Sequence, residues 1–281
     1  MSSTHERYTI EHSNKFVEAN RALVEFEIRP GNTVSFLRQI DLTGVELMRA
    51  HYEREGRSKP SYTAFVVKAL VIALREFPYA NRRVCRRVWW PFGTRLQRFH
   101  HCDVAIACER AMPGAECVAF ADILRDADKL SFEQCTDWLR QLSTAEVETN
   151  QQWREFSGLI KKTPAWLTRL ALRLPYLFPG LWPKYRGAAA IDSSPAKYGV
   201  DAVLGSWSWP VGISFGLVQK VPMVKGEQVV ACQSFQLTLN FDRRVMAGAQ
   251  AARFFVRIVE LLQEPTQIDE LNLPPEINEN S

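Results

Sequence analysis

At 281 residues, 46% hydrophobic and 23% charged, the chain has an ordinary globular balance and enough length to bury a substantial core in one domain or two. Its net charge of +4 gives no reason to expect a nucleic-acid partner. Six cysteines at 85, 102, 108, 117, 135 and 232 form no CxxC pair, so neither a zinc ribbon nor a disulfide framework is expected, and a reducing compartment is.

The opening MSSTHERYTIEHSNKF has no apolar leader, and residues 1–20 read as a polar segment of no evident role. ALVEFEIRP at 22–30 and TVSFLRQIDLT at 33–43 pattern as strands joined by a Pro-Gly-Asn turn. In the second, Val34, Phe36 and Ile40 share a face that Arg38 interrupts. Asp41 or Thr43 is placed to cap a helix through VELMRAHYEREG, which Gly56 ends. SYTAFVVKALVIALREFP at 61–78 predicts a core helix, apolar on most sides, with Ser61 or Thr63 as its cap. Its apolar run at 64–74 carries a lysine and is too short to cross a bilayer, so a soluble cytoplasmic protein is expected.

VCRRVWWPFGTRLQRFHHCDVAIACER at 84–110 reads as paired strands around a turn at 91–93. Ser131, with Gln134 three residues on, is a capping-box signature opening a helix whose pattern continues through TDWLRQLSTAEVE. No repeat and no low-complexity linker divides the chain. The expected organisation is a polar segment at 1–20, one domain over 21–265 and a polar tail at 266–281.

Near the C-terminus, QLTLNF predicts a strand that turns sharply into the amphipathic helix AARFFVRIVELL. The corner between them reads FDRRVMAG, from Phe241 to Gly248. Together with RQIDLTGVELMRAHYEREG, SYTAFVVKALVIALREFPYAN, DVAIACER and ILRDADKLSFEQ, in that order, this corner resembles the catalytic domain of the dihydrolipoyl acyltransferases of 2-oxoacid dehydrogenase complexes. The resemblance covers roughly residues 33–265. It implies an α/β fold, a two-layer sandwich of the chloramphenicol-acetyltransferase type with a mixed sheet flanked by helices. It also implies a homotrimer whose active sites lie between subunits and take coenzyme A or an acyl-CoA and an acyl thioester or other small-molecule ligand. The family's lipoyl and subunit-binding domains have no counterpart here, so a stand-alone catalytic domain is expected.

The family corner reads F-D-H-R-x-x-D-G, and its histidine takes the thiol proton. Here Arg243 stands at the histidine and Ala247 at the second acid, while Phe241, Asp242, Arg244, Val245 and Gly248 are kept. A guanidinium stays protonated near neutral pH and cannot serve as a general base. Arg243 can instead pair with a ligand's carboxylate or phosphate, or make a structural salt bridge to Asp242 or across a subunit interface. Conventional proton transfer is therefore expected to be lost, leaving either altered or impaired acyl transfer or a catalytically inactive trimeric binding protein.

The family's oxyanion-stabilising hydroxyl maps to AAAIDSSPAKYGVDAVLG at 188–205, on Ser193 or, one step along, Ser194. The same composition also suits a plain turn. His100 and His101 are candidates for a recruited base, or structural histidines at a strand end; strand alternation places His101 with Asp103 and His100 with Cys102. Adjacent strand residues face opposite ways, so HHCD is not expected to bind metal. Cys102, Cys108 and Cys117 are nucleophiles only in principle.

TPAWLTRLALRLPYLFPGLWPKYRG at 163–187 contains no acid. Thr163 is read as its cap and Pro164 as the first helical residue, with Pro175 ending the run. Leu167, Leu170 and Leu174 share one face and Arg169 and Arg173 another. Such a helix suits a membrane surface, another partner or the lining of an acyl channel, and equally suits packing on the sheet with its arginines in water.

Overall fold

A computed structural model describes residues 30–86, 94–112 and 115–270, with Lys15, Phe16 and Ala19 besides. The strand expected at 22–30, the turn at 91–93 and most of the segments 1–20 and 266–281 lie outside the described residues. Phe16 and Ala19 are nevertheless buried in the main core.

A mixed sheet of seven strands runs in the order β1 (Thr33–Asp41), β9 (Gln228–Asp242), β7 (Val211–Phe215), β6 (Ala189–Asp192), β4 (Val104–Met112) and β5 (Ala115–Leu124). The seventh strand, β8 (Gln219–Lys225), pairs with the first half of β9. β4, β6 and β7 are mutually parallel and the remaining pairs antiparallel. A separate hairpin pairs β2 (Arg82–Arg86) with β3 (Thr94–Arg98).

Helices α1 (Thr43–Arg54), α2 (Tyr62–Glu76), α3 (Phe132–Thr144) and α7 (Gly248–Gln263) form the second layer. Alternation along β9 sends Phe235, Leu237, Leu239 and Phe241 into that layer's core. Helix α2 is the centre of the core: every residue from Ala64 to Leu74 is buried, Lys68 included. Among the described residues Lys68 forms no salt bridge, and its Nζ donates to the carbonyls of Ala127 (3.1 Å) and Leu130 (2.7 Å). Burial lowers its pKa, and the two bonds pin the turn in which Asp126 takes a positive φ.

The caps explain the helix starts. Ser61 Oγ accepts from the Ala64 amide, which leaves Thr63 uncommitted as a cap. Ser131 and Gln134 form the expected reciprocal box. That helix stops at Thr144 rather than continuing; a new one, α4 (Gln151–Lys162), begins under the Asn150 side chain, which accepts from the Trp153 amide. At the other end of the chain, α8 (Thr266–Glu270) buries Ile268, so the core extends past residue 265.

On the sheet's other face the β1, β9 and β7 part is polar: Ser35 Oγ donates to Asn240 Oδ1, Gln39 Nε2 to Ser234 Oγ, and Ser214 Oγ to the Val203 carbonyl. The loop after residue 199 lies on this face. It can do so because Gly212 leaves room for the Trp207 ring, which a Cβ there would meet at 2.6 Å, and Gly216 for the Asp201 carbonyl.

The segment read as starting at Thr163 differs in detail. Thr163 caps the end of α4, its Oγ1 donating to the Leu159 carbonyl, and helix α5 (Ala165–Leu177) starts one residue after Pro164. Pro175 does not end α5; it is buried inside the last turn. Helix α6 (Leu181–Arg186) follows, burying Trp182 against Phe99 and Ala188.

Candidate functional site

β9 delivers the chain to a tight corner at the edge of the helical layer. Asp242, 2% exposed, ends the strand and organises the turn beyond it. Its carboxylate accepts from the Arg244 backbone amide at 2.9 Å and from the Arg244 guanidinium at 2.7 and 3.0 Å. This pairing raises the pKa of Arg244. The Asp242 carbonyl accepts the amides of Val245 and Met246, closing the turn. The salt bridge to Asp242 expected as one alternative for Arg243 is thus made by its neighbour. Arg243 itself is exposed, and its backbone amide donates to the Asn32 carbonyl at 2.8 Å.

Ala247 is the residue before α7 and offers no side-chain acceptor to the free amides of the helix start. Gln250 partly compensates, its Oε1 accepting the Ala247 amide at 3.1 Å. Arg82 and Tyr79 brace the corner by donating to the carbonyls of Val245 (2.8 Å) and Gln250 (3.0 Å).

The hydroxyl candidates sit elsewhere. Ser193 follows the last residue of β6 and lies 3.3 Å from Thr63 Oγ1 at the start of α2. Thr63 is a second hydroxyl that the sequence offers only as a cap, and no local signal in the chain points from one to the other across 130 positions. Ser194 opens a 3-10 turn, Ser194–Tyr198, as its composition predicts. That turn is tied to β4 where Tyr198 Oη and Lys197 Nζ donate to Glu109 at 2.7 and 3.2 Å.

Strand register places these groups relative to the corner. Asp192 is level with Ser214 and so with Thr238, whereas Arg243 comes one residue after Asp242. Ser193 and Arg243 are therefore separated by about six residues along the strand direction, roughly 20 Å at about 3.3 Å per residue. They occupy opposite ends of one sheet.

The histidines are not brought to either group. β4 begins only at Val104, so His100 and His101 lie in an irregular bend where strand alternation does not apply. His101 Nδ1 pairs with Asp126 Oδ1 at 2.6 Å and is exposed. The His101 and Lys129 partners hold the Asp126 carboxyl below its ordinary pKa. Val104 is level with Phe241 but three strands away, which puts His101 about 14 Å or more to the side of the corner at roughly 4.8 Å per strand. Ser193 is at the far end of the sheet from it. Asp103 is engaged separately, accepting from Arg125 Nη1 and the Asp126 amide.

Cys102 is buried, and burial pushes its thiol up to about 12. Burial raises the Cys108 thiol as well, so neither is a ready nucleophile. Among the described residues no three His, Cys, Asp or Glu side chains gather as a metal site.

Residues 31–159 and 212–269, more than half the chain, match the family of 2-oxoacid dehydrogenases acyltransferase (catalytic domain). The chain belongs to this acyltransferase family. It is 24% identical over 259 residues to the lipoamide acyltransferase component of the branched-chain alpha-keto acid dehydrogenase complex of Pseudomonas aeruginosa, covering 91% of this chain and 50% of that one. It is 22% identical over 245 residues to the dihydrolipoyllysine-residue acetyltransferase component of the pyruvate dehydrogenase complex of Bacillus subtilis, covering 84% and 46%. The chain thus spans about half the length of these relatives.

Among solved structures it is similar to the cubic core of the pyruvate dehydrogenase multienzyme complex, with a TM-score of 0.66 at 19% identity, covering 95% of this chain and 97% of that one. Similar too is the Azotobacter vinelandii dihydrolipoamide acetyltransferase, studied for the role of a serine, a histidine and an asparagine in its catalytic mechanism: TM-score 0.65, 18% identity, with 95% and 97% covered. The fold is that of the acyltransferase catalytic cores.

The family match also divides the site. Arg243 and Ala247 fall inside its second segment, on a corner whose framework is complete. Ser193 and Ser194 fall in 160–211, between the two matched segments. Among the described residues no helix is long and apolar enough to cross a membrane.

Proposed function

We propose that the chain is a coenzyme A-dependent acyltransferase-family protein whose usual proton transfer has been replaced, so that acyl transfer is altered or impaired. The observation that carries this reading is the corner itself. Its frame is intact, from the Asp242–Arg244 pair to the turn closed on the Asp242 carbonyl, while the exposed position between them holds Arg243, which can neutralise an anion but cannot accept a proton.

In this reading the site is assembled between protomers of a homotrimer. Ser193, with Thr63 beside it, supplies hydroxyl donors to a developing oxyanion at one end of the sheet, and the Arg243 corner of a neighbouring copy faces it from the other. The separation of about 20 Å within one chain supports a site shared between chains. The ligand is an acyl thioester, with acyl-CoA as donor or free coenzyme A as acceptor, and Arg243 pairs with a phosphate or carboxylate of the ligand.

A second reading is a trimeric binding protein without turnover. The pairing of His101 with Asp126 and the raised thiol pKa values favour it, because the described site offers no evident substitute base.

The deciding experiment is the double variant Arg243→His with Ala247→Asp, assayed for transfer from acetyl-CoA to dihydrolipoamide. A sound pocket regains general-base catalysis, and the rate rises by about 10²–10⁴-fold over the native chain. No rise, with the fold shown intact by circular dichroism, removes the transferase reading in favour of the second. Appreciable transfer by the native chain, unchanged in Ser193→Ala, would remove the role given to Ser193.

A further inference from the structure

Helix α5 turns its leucine face outward. Trp166 is 68% exposed, Leu170 48% and Tyr185, in α6, 49%; Leu167, Leu174, Leu177 and Phe178 are exposed as well. At 100° per residue, Trp166, Leu167, Leu170, Leu174, Leu177 and Phe178 fall within about a third of a turn, one unbroken stripe along the helix. Arg173 and Arg169 project along one margin of that stripe, while Thr168, Leu172 and Pro175 take the buried side.

The back of the helix is anchored. Arg83, itself buried, lies 4.3 Å over the Trp182 ring and reaches the Pro175 carbonyl, and Gln97 donates to the Pro179 carbonyl. The stripe is therefore a fixed outer surface, which rules out the expectation that these leucines pack on the sheet. Its fixed outward position also makes it no lining for a channel within the protomer.

The charge around it has one sign. From Phe156 to Ile191 the chain has six basic residues and no acid. Lys161, Lys162, Arg169, Arg173 and Lys184 are all exposed. The whole element lies in 160–211, between the segments that match the family.

We propose that the outer face of α5 and α6 is a docking surface for an anionic lipid bilayer. Leucines and the Trp166 and Phe178 rings enter the boundary between headgroups and acyl chains, and the arginine margin and neighbouring lysines meet the negative headgroups. Trp and Tyr suit this depth because each has an apolar body and a polar edge. A second copy packed face to face is the weaker occupant, since two such faces set against each other oppose arginine to arginine.

The test is co-sedimentation of the full chain with phosphatidylcholine vesicles, with and without phosphatidylglycerol. Binding is expected only with the anionic lipid and is expected to be lost in high salt. Two variants separate the contributions: Arg169→Glu with Arg173→Glu, and Trp166→Ser with Leu170→Gln and Leu174→Gln. Each is expected to lower vesicle affinity by at least about tenfold while leaving the thermal melt and oligomeric mass of the protein in place. Absence of sedimentation with anionic vesicles overturns the proposal, as does binding by both variants that equals that of the native chain. A native oligomer that falls apart in the leucine variant assigns the face to another copy of the chain and also overturns it.

Discussion

Helix α7 presses Phe254, Phe255, Ile258, Val259, Leu261 and Leu262 into the core, whereas α5, with leucines in an equally regular pattern, holds them out to water. The two differ in what precedes and supports them. α7 leaves the long central strand β9 through a corner closed on Asp242, which holds it against the sheet and α2. α5 is fastened to the β2–β3 hairpin by Arg83 and to the Trp182 cluster, and these attachments use its polar and proline-bearing side. Apolar period shows which residues travel together; only the neighbouring elements decide whether that stripe is covered.

The sharpest way to break this contrast is to truncate one residue on each helix. Phe254→Ala, at a fully buried position packed on Phe77, is expected to cost about 3–5 kcal/mol in denaturant unfolding. Removing the tether of α5 comes next. Arg83→Ala leaves the Gln97 carboxamide and the Pro175 carbonyl without their donor and is expected to cost about 1–3 kcal/mol, with new proteolytic cleavage in 163–187. Leu170→Gln with Leu174→Gln is expected to change stability by no more than about 0.5 kcal/mol, and a larger loss would mean that the stripe is covered after all.

The smallest effect is a labelling difference. Burial holds the Cys102 and Cys135 thiols near 12, so both stay protonated below that pH while the protein is folded. At about pH 8 iodoacetamide is expected to modify exposed Cys117 and to reach these two only on unfolding, as mass spectrometry of digests would show.

Much of the frame is legible in the chain because its signals are local. The Ser131–Gln134 box, the Ser61 cap and the unbroken apolar run of α2 each state their own structure within a few residues. The corner is legible for the same reason, since Asp242, Arg244 and Gly248 stand close together. The illegible part depends on distance along the chain. Thr63 meets Ser193 only after the sheet is assembled, and His101 finds Asp126 through a turn pinned by Lys68 from a third element. Pro175 misleads because a proline that ends an isolated helix is accommodated where its own ring is buried and its carbonyl is bonded from outside the helix.

The remoteness of Ser193 from Arg243 in one chain has a genetic corollary. A protein whose chemistry needs one end from each of two copies tolerates damage to either end separately, provided the other copy is whole. Chains crippled only at Ser193 and chains crippled only at Arg243 would each be inert alone, yet mixing them creates some junctions where both contributors are sound. Partial recovery on mixing would then distinguish a communal site from one complete in every molecule.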